Sequence, residues 1–181
     1  IKAQNSPGYE RWAKIFNLKQ AAQTLIFLQE NDISEMEKLQ QKAQQAKDDF
    51  NNLSSRIQTI DARLKDISAL QKHIGIYSKT REVYAGYRKA GYSKKHLAEH
   101  EDSINAHKAA KKYFDSLGLK KLPTIKTLQT EYATLSAEKK KLYGEYHPAR
   151  KYMQDILTAK QNAEQLLNYR ETEKTKESER I

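Results

Sequence analysis

From Met36 onward the apolar residues return every three or four positions: Met36, Leu39, Ala43, Ala46, Phe50, Leu53, Ile57, Ile60, Leu64 and Ile67, with Gln71 and Ile74 closing the series. A strand alternates with a period of two, so this spacing suits a helix that buries one narrow seam against a partner. The intervening positions carry Lys42, Lys47, Asp48, Asp49, Arg56, Asp61, Arg63 and Lys65, a solvated exterior of mixed sign. The same rule returns after Pro123, where Thr124 can cap a helix carrying Ile125, Leu128, Tyr132, Leu135, Lys139, Leu142, Tyr146, Ala149, Met153, Ile156, Lys160, Ala163 and Leu167. Each seam extends roughly 60 Å at 1.5 Å per residue, and the segment between them is long enough to reverse direction. An antiparallel hairpin within one chain is therefore expected, with a parallel homodimer as the alternative. Lys139, Lys160 and Pro148 predict that the second seam is imperfect, locally kinked or open to solvent.

Composition agrees with long helices. Of 181 residues, 38% are hydrophobic and 31% charged, with only 6 Gly and 3 Pro. A mean hydropathy of −0.93 leaves little for a globular core. No cysteine is present, which excludes disulfides and thiolate metal sites and permits a reducing, cytoplasmic setting. The longest apolar run, Leu25 to Leu28, is too short to span a bilayer, and no signal pattern opens the chain, so no membrane insertion is expected. The first residue is Ile1 and not Met, which points to a segment of a longer polypeptide.

The fold class expected is all-α: a long antiparallel helical hairpin, or coiled coil, with a small helical head and an N-terminal packing helix. Five segments follow. Residues 1–33 form an aromatic helix starting at Pro7 with Ser6 as N-cap, its buried face holding Tyr9, Trp12, Phe16, Ala22, Leu25 and Ile26. Residues 34–76 form the first coiled-coil helix, opened by a capping box between Ser34 and Glu37 and interrupted at Gly75. Residues 77–122 form a basic head in which Gly91 and Gly118 occupy C-cap positions, Ser93 starts a helix, and Leu97, Ile104, Ala110, Phe114 and Leu117 face inward. Residues 123–168 form the second coiled-coil helix, and residues 169–181 a charged tail without apolar spacing, read as frayed or disordered.

The head concentrates charge. Eleven cations against five carboxylates place +6 of the net +10 there. A net charge of this sign favours acidic partners, nucleic acid ahead of anionic membrane. Tyr77, Tyr84, Tyr87 and Tyr92 interleave with the cations, and aromatic faces beside lysine and arginine are what nucleic acid strands use for stacking and phosphate neutralisation. The candidate DNA-binding residues are Lys79, Arg81, Tyr84, Tyr87, Arg88, Lys89, Lys94, Lys95, Lys111 and Lys112. The competing explanation is a tyrosine stripe packed against a neighbouring helix with the lysines merely solvated. Trp12 and Phe16 are candidates for docking a protein partner.

His96 and His100 stand one helical turn apart, and His107 lies about 16 Å from His96 by helix rise, too far to share an ion. The pair has the spacing to hold a metal, but partly exposed helix histidines are the simpler explanation, and no metal or cofactor is assigned. His73 and His147 stand isolated. No glycine-rich phosphate loop, paired catalytic carboxylates or serine-histidine-acid order occurs, so catalysis is not expected.

The stretch Tyr9-Glu10-Arg11-Trp12-Ala13-Lys14-Ile15-Phe16-Asn17-Leu18-Lys19-Gln20 resembles a segment of relaxases, the mobilisation nucleases of conjugative plasmids and integrative conjugative elements. Ile76 to Arg81, Ala109 to Phe114, Lys121-Leu122-Pro123 and Glu138 to Tyr143 resemble later parts of the same region. The likeness covers most of the chain up to about Leu167 and corresponds to the helical region C-terminal to the nuclease domain. In that family a tyrosine nucleophile and a histidine-rich metal site of the N-terminal domain nick one DNA strand. Those motifs are absent here, and no tyrosine of this chain receives that role. The resemblance implies a non-catalytic accessory region in conjugative DNA transfer, with DNA, single-stranded or duplex, as partner. The alternative is a coiled coil that docks a coupling or accessory protein, or a second copy.

Overall fold

The computed structural model describes the backbone of residues 7–119 and 121–178 and the side chains of residues 17–119 and 121–168. Five helices follow one another: α1 (Pro7–Glu30), α2 (Met36–Lys89), α3 (Lys94–Glu99), α4 (Glu101–Ser116) and α5 (Ile125–Ser178). No strand occurs among the described residues.

Three helix ends share one termination. After α1, Asp32 takes φ 54° and Ile33 N–H donates to Leu28 C=O at 2.8 Å. After α2, Gly91 takes φ 63°, Tyr92 N–H donates to Tyr87 C=O and Gly91 N–H to Arg88 C=O. After α4, Gly118 takes φ 65°, Leu119 N–H donates to Phe114 C=O and Gly118 N–H to Asp115 C=O. Each pattern satisfies carbonyls that the helix leaves without partners, and the left-handed residue turns the chain away. Gly91 and Gly118 thus hold the positions expected of them. At the start of α5 the Thr124 Oγ1 accepts from Thr127 N–H at 3.1 Å, the expected cap.

The chain divides into two units, one of residues up to Ser55 and from Tyr143 onward, the other Arg56–Leu142. In the first, Leu39, Ala43 and Ala46 of α2 cluster with Ile33 and with Ile156 of α5, and Phe27, Leu28, Tyr152 and Met153 pack around them. Phe50 meets Tyr146 at 5.0 Å between ring centroids. In the second, Ile67 and Leu70 of α2, Ala110 and Phe114 of α4, and Leu128 of α5 form the core. Arg63 grips Glu131 with two hydrogen bonds, 2.6 and 3.0 Å, and Arg56 reaches Glu138 at 3.1 Å. The bond to Glu131 raises the Arg63 pKa, and the same bond lowers that of Glu131. In both units rising α2 numbers meet falling α5 numbers, so the two helices pair antiparallel within one chain. Exposed ion pairs contribute about 0–1 kcal/mol each. A buried Ile, Leu or Phe contributes about 1.5–3 kcal/mol, so the apolar seam dominates.

Several expectations are corrected. α2 passes through Gly75 and ends only at Lys89, because nothing opposes a helical glycine there and packing continues on both sides. The head is therefore the end of α2 plus α3 and α4. α5 runs unbroken through Pro148 and onward to Ser178, so the charged tail is helical to that residue. The Ser34–Glu37 capping box does not form: α2 starts at Met36, Leu39 N–H donates to Glu35 C=O, and the Glu37 carboxylate instead takes the Gln41 amide. On α1, Leu25 and Ile26 are 59% and 54% exposed, while Thr24 is buried with Phe27 and Leu28 beside it. The inward face is rotated, with Phe27 and Leu28 packed on the core and Asn162 Nδ2 donating to Thr24 Oγ1 at 2.9 Å. Ile125 and Tyr132 lie outside the α5 seam, and Leu117 is exposed at the end of α4. Lys139 sits within the seam by pairing with Asp61 of α2, and Lys160 pairs with Glu164. Ser6 and the side chains of Tyr9, Trp12 and Phe16 lie outside the described residues.

Candidate nucleic-acid interface

The C-terminal third of α2 carries Lys79, Arg81, Arg88 and Lys89; α3 begins with Lys94 and Lys95; α4 carries Lys108, Lys111 and Lys112. All of these, and Lys121 beyond α4, are exposed. Arg81 and Arg88 are seven residues apart, two helical turns, and so share a side of α2. Lys108, Lys111 and Lys112 follow i, i+3, i+4 spacing and share a side of α4. The ion pairs among the described residues use Lys38, Arg56, Arg63, Lys139 and Lys160. None of these head cations has a carboxylate within 4.0 Å among the described residues. Arg56, Arg63 and Lys139 join α2 to α5, whereas the head cations, like Lys65, Lys72, Lys140 and Lys141 of the long helices, face solvent.

The tyrosines are arranged differently from the cations. Tyr77 and Tyr84, two turns apart on α2, stack on the His107 ring at 4.2 and 4.3 Å with interplanar angles of 21° and 17°. Tyr87 is buried, stacks on His96 at 6.2 Å and meets Tyr92 edge-on at 5.2 Å. Lys108 Nζ lies 5.4 Å from the Tyr87 ring centre, in cation–π range. These faces belong to the packing of α2 against α3 and α4. The cations of the candidate set are exposed, whereas Tyr84 and Tyr87 help to hold the helices that present them. Nothing in the described structure bears on docking at Trp12 or Phe16, whose side chains lie outside the described residues.

The histidines take a larger part in the packing than their spacing in the sequence indicates. His107 is 4% exposed, its Nδ1 3.0 Å from Thr80 Oγ1, and burial lowers its pKa against a raising hydrogen bond to the Tyr77 backbone. His73 is not isolated: it stacks on Tyr113 at 4.1 Å and meets Phe114 edge-on. The chain breaks helix at His100, φ −135° and ψ 28°, so His96 and His107 do not share a continuous helix. The signal available in the sequence is the seven-residue spacing of Tyr77 and Tyr84, which places both on one face of α2.

No protein-family model, curated protein or solved structure matches the chain. No helix among the described residues is long and apolar enough to cross a membrane.

Proposed function

We propose that this chain is a non-catalytic accessory region that binds DNA through its basic helical head and serves conjugative DNA transfer. The observation that carries the DNA reading is the set of exposed head cations without carboxylate partners, gathered on the end of α2, on α3 and on α4. Unpaired lysine and arginine side chains bind a phosphate backbone by releasing its condensed counterions. The connection to relaxases rests on the sequence resemblance alone. Arg81→Ala with Arg88→Ala is the direct test, read by fluorescence anisotropy of labelled single-stranded and duplex DNA. The double variant is expected to bind both more weakly at low salt; unchanged affinity would remove the α2 side from the interface.

A second reading is supported by α1, where Leu18 is 72% exposed beside the exposed Leu25 and Ile26. An apolar stripe of this kind serves docking of a coupling protein, an accessory protein or a second copy. Sedimentation of a concentration-dependent dimer that ignores DNA would favour this reading over the first.

A further inference from the structure

On the segment His96-Leu97-Ala98-Glu99-His100, one ring nitrogen of each histidine and one carboxylate oxygen of Glu99 lie within 4.8 Å of one another. The sequence offers the histidine pair; the structure adds Glu99 and the helix break. His100 leaves the helical conformation, and its ring closes on His96 to 4.8 Å between centroids. We propose that these three side chains form a binding site for a divalent late first-row transition ion of the Zn2+ class. Two imidazoles and one carboxylate are the donor set such ions take, and three protein ligands leave a fourth tetrahedral position for water or an anion.

The site has one fixed ligand and two adjustable ones. His96 is half-buried, stacked on Tyr87 and seated against Gly86, where a Cβ would stand in van der Waals contact with its ring, 3.4 Å from Nε2. That buried nitrogen has no hydrogen-bond partner, so the ring is not committed to another polar group. Glu99 and His100 are exposed, and their rotamers can draw in from 4.8 Å to the spacing of about 3.4 Å that tetrahedral ligands with Zn–N bonds of about 2.0–2.1 Å require. Glu101 and Asp102, next in the chain, favour a cation, and Lys94 and Lys95 oppose it. The inference is independent of DNA binding.

Calorimetric titration of the full chain with ZnCl2 near neutral pH, in the absence of DNA, tests it. One saturable site is expected, weakened by about tenfold or more in His100→Ala and in Glu99→Gln and unaffected in His147→Ala. Co2+ in place of Zn2+ is expected to give visible absorption bands that His100→Ala abolishes. His100 is exposed, so its removal leaves the packing of the head intact, and circular dichroism verifies this. Absence of saturable binding, or binding that His100→Ala and Glu99→Gln leave unchanged, would overturn the site.

Discussion

At the scale of single residues the head is organised around His107. Its ring lies between Tyr77 and Tyr84, and Thr80 Oγ1 meets its Nδ1 at 3.0 Å. Desolvation by this packing is the largest influence on its pKa and lowers it, with Lys111 acting in the same direction. The unfolded chain then takes up a proton at higher pH than the folded one, so this contribution to stability is complete above the ordinary histidine pKa of about 6.5 and declines as pH falls below it. Thermal unfolding is expected to move to lower temperature between about pH 7 and 5, and His107→Phe to flatten that decline. An equal decline in the variant would assign it to other groups. Apolar spacing made Ile104, Ala110 and Phe114 legible as the inward side of α4, and all three are buried. His107 was not legible, because a polar side chain in an apolar column reads as solvated unless its partners are known, and those partners come from α2.

At the scale of elements the two long seams were readable because each apolar step is small and repeated, and local errors do not shift the register. Boundaries were less readable. Gly75 looks like an interruption in the sequence, yet a single helical glycine costs only about 1 kcal/mol against alanine, less than the packing of Ile67 and Leu70 before it. Two glycines therefore predict opposite outcomes in urea unfolding. A Cβ at Gly75 meets nothing within 4 Å, so Gly75→Ala is expected to stabilise by about 0.5–1 kcal/mol. Gly118 sits at φ 65°, so Gly118→Ala is expected to destabilise by about 1 kcal/mol or more despite equally open space. Changes of the same sign would contradict the helix boundaries. The inward face of α1 is hidden from the sequence for a related reason: Thr24 is buried through a hydrogen bond to Asn162, a residue 138 positions away.

At the scale of the whole molecule, fold class was written in the periodicity, whereas the candidate site was written only in its charge. Composition places +6 of the net +10 in residues 77–122, but cannot separate cations that bind helices together from those left to solvent. Arg56, Arg63 and Lys139 belong to the first group, since each pairs across α2 and α5. Arg81, Arg88, Lys94 and Lys95 belong to the second, since none has a carboxylate in reach among the described residues. The measurement that tests this division most directly is DNA affinity across a salt series for the native chain and for a variant with those four cations neutralised. Each phosphate that the protein no longer neutralises makes the slope of log affinity against log salt shallower by about 0.9 for duplex and about 0.7 for single strands. A folded variant with weaker binding and a slope shallower by about 3.6 units, for duplex, is the result predicted. An unchanged affinity and slope in that variant would contradict DNA binding by the head.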